Sequence, residues 1–505
     1  MIEKNRRFFP NFQSHKVWEL GLSLLVGILF GALVVSSPYL PVPSEWQKLV
    51  FVIPIAFALV MVFKNLEKLI LAAIAIGVVL NLDFSVIISP YAANNANIAI
   101  GNRTIIALTE LRVSFILIIV VVGYLLWLVG RQGANRQPLR FFTSTSVPAL
   151  GLIFFSIVSV FQAQDVQLSF FKIAQLIELF LMYFYLANHL RTQQDLKFFV
   201  TVLMGGMLAE SILMIVQWLT GWSFSFAGIS ANVGGDLRTT GTLGTANSAG
   251  VIVSAYLAIV CSMFWLFPRR SQKVFAGICF VIGCIALIST AGRAAWGGFI
   301  VAILGFIFIG WRRGWVQRRA LVWLFLLTLV IGAIFYPAIY NRLKADDRGS
   351  AASRPLMFRL AWNVISASPL NLFLGVGANN YALIAPRYNT VVGDYLGNLI
   401  EDTSVHDVYL LTWAETGLFG LLFFLGFLAA SLVKTWKHIQ SGSRFGSLMA
   451  LGLGCAIIVM GIQMFVDPYI ARPKTIFLWL LVSLIASLDN FESKEVSSLL
   501  SRQSG

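Results

Sequence analysis

From residue 17 onward the chain reads as long apolar runs cut by short polar breaks, with almost none of the three-to-four-residue polar rhythm of a helix half in water. Runs close to ~20 residues are what a helix needs to cross a bilayer. The pattern places spans at 17–35, 48–63, 66–80, 113–130, 147–161, 170–188, 196–219, 246–267, 274–290, 295–310, 320–340, 408–433, 446–466 and 475–490. Two breaks are much longer than the rest, 81–112 and 341–407. In the second, the stretch SRPLMFRLAWNVISASP carries Leu356, Met357, Leu360, Ala361, Val364 and Ile365 at helical spacing. It predicts a short amphipathic helix on the membrane surface or over a cavity, starting after Ser353 with Pro355 in its first turn and stopping near Pro369. The following LGVGANNY reads as a turn, because a phosphate loop would need a G-K-[ST] ending and strand–helix surroundings.

Composition agrees with the pattern. Of 505 residues, 58% are hydrophobic and 12% charged, which excludes an ordinary soluble domain. The expected fold is all-α: a polytopic integral membrane protein of about 12–14 transmembrane helices, with a long extracytoplasmic loop containing short helices. The net charge of +15 does not imply nucleic acid, because its placement follows the membrane. With the N-terminus inside, 23 Lys and Arg fall on the inner side and 14 on the outer, accounting for all 37 and leaving none buried in mid-membrane. Short basic loops such as PRRSQK and WRRGWVQRR carry the inward bias, so both termini are expected in the cytoplasm. The first residues are charged and lack an A-x-A-like cleavage site, so they read as a tail, not a signal peptide. Cys261, Cys279, Cys284 and Cys455 all lie in apolar runs and suggest neither disulfides nor zinc. No internal repeat of the inverted-transporter kind stands out.

This topology sorts the candidate chemistry. His15, His189 and His438 fall on the inner side, and only His406 faces outward, at the mouth of a span where an imidazole can titrate. Read alone, His406 is equally a boundary residue beside a helix cap supplied by Thr403, Ser404 or Asp407. Two arginines face outward: Arg238 in DLRTTGTLGTANSAG, just before a span, and Arg293 in STAGRAAWGG, a tight hairpin between two spans. Each either snorkels to lipid headgroups or holds a diphosphate, which guanidinium binds in bidentate fashion. The small residues around Gly241–Asn247 and Gly292–Ala295 would let backbone approach such a ligand. Glu178, Glu210 and Glu415 are the acids within spans, where carboxylates are functional candidates by default. Glu178 and Glu210 are equally explained as hydrogen-bonding across helices. Glu415 lies nine residues after His406 and so on another helix face. No HExxH, CxxC or carboxylate cluster marks a metal site, and no cofactor is implied.

The order of these pieces resembles a known family. An Arg-x-x-Gly-Thr-x-x-x-x-Asn block (Arg238, Gly241, Thr242, Asn247) is followed by a Thr-x-x-Arg-Ala block (Thr290, Arg293, Ala294). Then come the loop with RLAW…SASPLNLFLGVGANNY and a His-x-x-Tyr-Leu…Ala-Glu-Thr-Gly-Leu-x-Gly block running from His406 to Gly420. Together they resemble the O-antigen ligase and polymerase family of bacterial membrane glycosyltransferases, over residues 236–420. The resemblance implies metal-independent transfer of a glycan from an undecaprenyl diphosphate carrier to an acceptor hydroxyl at the outer face of the inner membrane. By the same resemblance Arg238 and Arg293 would hold the diphosphate, and His406 would act as base or diphosphate contact. Arg359, Asp407, Asn247 and Glu415 would support the site, with Arg359 and Trp362 placed over it by their position in the loop helix. The expected partners are a lipid-diphosphate-linked glycan donor, a glycan or lipid-linked acceptor and the bilayer, with no nucleic acid. The resulting division is a tail at 1–16, an N-terminal transmembrane region at 17–235, a ligase-like core at 236–425, C-terminal helices at 426–490 and a second tail at 491–505.

Two positions depart from the family pattern: Asp407 where Asn is common, and Gly292 where Ser is common. A neighbouring carboxylate would raise the pKa of His406 and weaken it as a base. Two other classes remain open, a transporter or permease of the bicarbonate-transporter-like kind and a carrier-lipid flippase. Glu178 and Glu210 could serve an ion path in the first, and the second would line its path with mid-membrane cations.

Overall fold

A computed structural model describes residues 65–88, 108–130, 139–226, 229–234, 237–315, 317–344, 350–388, 405–468 and 472–490. The spans expected at 17–35 and 48–63, both tails, and parts of the two long loops lie outside the described residues. What is described is almost entirely helical. In chain order the helices are α1 (Leu66–Leu80), α2 (Phe115–Gly130), α3 (Ser146–Val158), α4 (Val166–His189), α5 (Gln193–Thr220), α6 (Ala246–Leu266), α7 (Arg270–Ser289) and α8 (Arg293–Arg312). They continue as α9 (Arg318–Ile334), α10 (Tyr336–Lys344), α11 (Ser350–Ser366), α12 (Pro369–Leu374), α13 (Tyr381–Ile384), α14 (Val408–Ser441), α15 (Arg444–Gln463) and α16 (Arg472–Ser487). Three two-stranded antiparallel ribbons decorate the connections: β1 (Asp83–Ile88) with β2 (Glu110–Ser114), β3 (Phe224–Phe226) with β4 (Ile229–Ala231), and β5 (Val233–Gly234) with β6 (Arg238–Thr239).

Seven of the described helices are long and apolar enough to cross a membrane, or eight if the bent pair α9–α10 counts as one. The chain is thus an all-α polytopic membrane protein. Helix ends follow local chemistry. Asp165 caps α4 by accepting from the Gln167 and Leu168 N–H groups, and Thr192 with Asp195 forms a capping box on α5. Helices α6 and α15 lie at the centre, 83% of each spanning window being buried. They pack closely where Ser262 Oγ on α6 donates to the Leu448 carbonyl of α15 at 2.6 Å, the kind of small-residue contact that helices use where hydrophobicity alone cannot drive association.

The structure corrects four expectations. The run at 320–340 is not one straight span, since α9 and α10 meet at a 67° bend. The loop helix begins at Ser350, so Pro355 lies inside it and not in its first turn. The span at 408–433 extends to Ser441 and breaks at Gly417, whose φ of 72° and ψ of −177° are non-helical.

The fourth concerns the cations, which are not all at solvated ends. Lys172 lies inside α4 and lines an internal chamber. Arg472 and Lys474 are buried in the first turn of α16. Buried charge persists only with partners. Arg472 pairs with Glu178 at 2.7 Å and with Asp83 at 3.3 Å, and Lys474 pairs with Asp467 at 2.7 Å. These partners lie far away in sequence or beyond a turn, so a count along the chain could not reveal them.

Candidate functional site

Glu210 on α5 organises the first block. Its carboxylate accepts from the Thr242 N–H and, at 3.1 Å, from the Thr242 hydroxyl. Gln217, two turns on, accepts from the Gly241 N–H at 2.9 Å. Gly241 has φ of 55°, and a Cβ there would sit 1.9 Å from a Glu210 oxygen. Only glycine lets this backbone come so close to the acid. Downstream, Thr245 caps α6 by accepting from the Ser248 N–H at 3.1 Å. Upstream, the Thr239 and Ser289 hydroxyls share a hydrogen bond of 2.7 Å that ties β6 to the end of α7.

This anchoring puts Arg238 on the turn between α7 and α8. Its Nε donates to the Thr290 carbonyl at 3.1 Å, and its Nη2 donates to Asn247 Oδ1 at 2.7 Å. Thr290 of the second block therefore meets Arg238 of the first. Next in the turn, Ala291 is left-handed at φ 50°, and its carbonyl accepts from Arg342 Nε at 3.0 Å. Gly292 is the N-cap of α8 and offers no side-chain acceptor to its first turn, where Arg293 is exposed. Arg342 was missed in the sequence because 320–340 read as an uninterrupted span; Pro337 just past the bend was the available signal.

His406 stands at the mouth of α14. The Val408 N–H donates to the Met464 carbonyl at the end of α15, at 2.8 Å. Three contacts fix which ends of the bundle coincide. Ser254 of α6 donates to the Ala295 carbonyl of α8 at 3.0 Å, Gly298 of α8 packs on Val459 of α15, and α6 runs antiparallel to α15 through Ser262 and Leu448. Arg293 lies five residues before Gly298 and Met464 five residues after Val459, so both rise about 7.5 Å beyond that level in the same direction. Arg238, Asn247, Arg293, Arg342 and His406 thus occupy one end of the bundle. His189 and His438, at the C-terminal ends of α4 and α14, occupy the other.

Asp407 is the cap of α14. Its Oδ1 accepts from the Leu410 N–H at 2.8 Å, and its side chain is buried. Burial raises its carboxyl above the ordinary carboxylate range, while the Leu410 and Tyr409 N–H groups pull the other way.

The long loop is fastened to this same helix. At the Gly417 break, the carbonyls of Ala414 and Glu415 accept from the N–H groups of Val376 and Gly377, at 2.8 and 3.1 Å. Trp413 Nε1 donates to the Leu372 carbonyl at 3.1 Å, and the Trp413 and Trp362 rings meet edge to face, 5.7 Å apart. Asn379 exchanges two bonds with the Leu108 backbone at 2.9 and 3.0 Å, and Asn380 does the same with Asp165 at 2.7 and 3.0 Å. LGVGANNY is therefore a docking strip between α3, α4 and α14, more than a turn. Arg359 is exposed on α11. Glu415 lines an internal chamber of about 90 Å³ together with Lys172, Asn379, Tyr381 and Thr412.

Residues 278–425 match the family model described as O-antigen ligase. This segment is similar to the O-antigen ligase family. It contains Arg293, Arg342, Arg359, His406, Asp407 and Glu415, whereas Arg238 and Asn247 lie before it. No curated protein matches the chain. The matched segment, similar to the O-antigen ligase family, is carried on a multi-pass helical bundle.

Proposed function

We propose that the protein moves a glycan from an undecaprenyl diphosphate carrier to an acceptor hydroxyl at the outer face of the inner membrane, without a metal. Arg238 and Arg293 hold the diphosphate, and His406 serves the acceptor. The observation that carries this reading is the hydrogen bonding of Arg238 to the turn that bears Arg293, at the bundle end where His406 stands.

In the transfer, the acceptor oxygen attacks the anomeric carbon and the bond from that carbon to the diphosphate oxygen breaks. The electron pair leaves on the diphosphate, and the acceptor proton passes to the His406 imidazole. Fixed guanidinium groups stabilise the charge developing on the leaving group, which removes the need for a metal cation. The N-terminus of α8 adds its dipole to the same field. Glu178 and Glu210, which an ion path would need, are engaged with Arg472 and with Thr242, so nothing specific favours a transporter.

The test replaces Arg238, Arg293 and His406 singly by alanine and follows transfer from a diphosphate-linked donor to two acceptors, a lipid-linked core sugar and a second carrier-linked unit. Loss of transfer in all three supports the reading, and the acceptor used separates ligase from polymerase. Full activity in all three sinks it.

A further inference from the structure

We infer that Lys172 and Glu415 form a water-bridged ion pair across the internal chamber, and that this hydrated pair clamps the docking strip of the long loop onto the helix that carries His406. Its bearing on transfer rests on the proposed role of His406; the clamp itself does not. The chamber lies between α3, α4, α13, α14 and α16. On α14 its wall includes Val408, Leu411, Thr412 and Glu415, a single helix face that starts two residues after His406. Lys172 enters from α4, six residues or about 9 Å past the first residue of that helix. The two charges act on each other, yet among the described residues no direct ion pair joins Lys172 to a carboxylate. Tyr381 lines the same chamber. It is 1% exposed, and among the described residues its hydroxyl has no hydrogen-bond partner.

Water is the occupant that fits these groups. A chamber of about 90 Å³, at ~30 Å³ per molecule, has room for about three waters, each needing two to four polar partners. The ammonium supplies three donors, the carboxylate several acceptor sites, and the Tyr381 and Thr412 hydroxyls both kinds. A sugar ring does not fit, since benzene alone takes an apolar cavity of about 150 Å³. The docking strip explains why the pair stands here. Glu415 meets the strip twice: its carbonyl accepts from the Gly377 N–H at 3.1 Å, and the Asn379 and Tyr381 N–H groups lie beside its carboxylate. Buried charge at membrane depth persists only when it is paired and hydrogen-bonded. Arg472, the other cation acting on Lys172, is itself paired with Glu178 and Asp83. Lys172 thus supports the carboxylate that the strip grips, and acts through it as a positioning residue.

The experiment uses the full chain in nanodiscs and reads amide hydrogen exchange of residues 376–381 by mass spectrometry, beside glycan transfer. Lys172→Met and Glu415→Gln each leave one charge unpaired, and each is expected to speed exchange of the strip about tenfold while the amides of α6 and α15 stay protected. The double variant removes both charges and recovers most of that loss. Tyr381→Phe removes a hydroxyl that only water satisfies, so it speeds exchange if the chamber is hydrated and slows it if the chamber is dry. The kcat of transfer falls as the strip opens, at unchanged donor KM. Additive losses in the double variant, exchange that rises as much in α6 and α15 as in the strip, or a strip tightened by Tyr381→Phe overturns the inference. Arg238→Ala, Arg293→Ala and His406→Ala, measured alongside, separate the two readings. If they keep full transfer while the strip behaves as stated, the transfer reading fails and the clamp stands. If they abolish transfer while neither single charge variant changes exchange, the clamp alone fails.

Discussion

Gly417→Ala is the sharpest test of how the loop is held. Gly417 sits at φ 72° and ψ −177°, a region open almost only to glycine, where another residue is strained by about 1–3 kcal/mol. A Cβ there would lie 2.1 Å from the Phe373 carbonyl oxygen and 2.5 Å from the Leu374 nitrogen. Both are backbone atoms and cannot rotate away. The docking strip must move, and with it go the bonds from Val376 and Gly377 to α14, each contributing about 0.5–1.5 kcal/mol net. The combined loss is about 2–6 kcal/mol, a large part of the 5–15 kcal/mol that typically holds a domain together. The assay is thermal unfolding in detergent beside glycan transfer, with Gly205→Ala as control. Gly205 is helical, with nothing within 4 Å of an added Cβ, so that change is expected to be neutral or mildly stabilising. Gly417→Ala should melt well below it and lose transfer, because His406 stands only three turns before the break. Equal melting and activity in the two variants would refute the docking argument.

Asp407 and Glu178 give further outcomes. Asp407→Asn keeps a good cap, whereas Asp407→Ala loses one and about 1 kcal/mol. Because burial raises the folded-state pKa of Asp407, its contribution is most favourable below the unfolded pKa and is lost as pH rises through the folded value. Asp407→Asn should therefore flatten the pH dependence of stability in the mildly acidic range and be no less stable at pH 7; a lower melting temperature there contradicts this. Glu178→Ala leaves Arg472 buried with Asp83 as its remaining carboxylate, and should cost roughly 3 kcal/mol, read as a lower melting temperature. An unchanged melting temperature with altered ion flux in vesicles would instead favour the transport reading.

Much of this was legible in the chain. Apolar run length showed the spanning helices, and Asp407 was an available cap in front of one. The order of the blocks around Arg238, Arg293 and His406 resembled the O-antigen ligase family, whose model matches residues 278–425. What stayed hidden shares a physical cause, because it depends on contacts between distant segments. The break at Gly417 falls in an apolar run whose pattern does not change across it. Val376 and Gly377 read as a turn because their partners, the carbonyls of Ala414 and Glu415 on α14, are some forty residues away. Arg342 read as the first residue beyond a straight span, since only the bend at Phe335 returns it to Ala291. Arg472 seemed solvated because Glu178 and Asp83 reach it only in the folded bundle.

The most direct measurement is a cryo-EM structure of the full chain with its diphosphate-linked donor bound. The account predicts the diphosphate on the turn between α7 and α8, touched by Arg238 and Arg293, with the anomeric carbon toward His406. A diphosphate seated instead in the chamber of Lys172 and Glu415, or with its sugar turned away from His406, would contradict it.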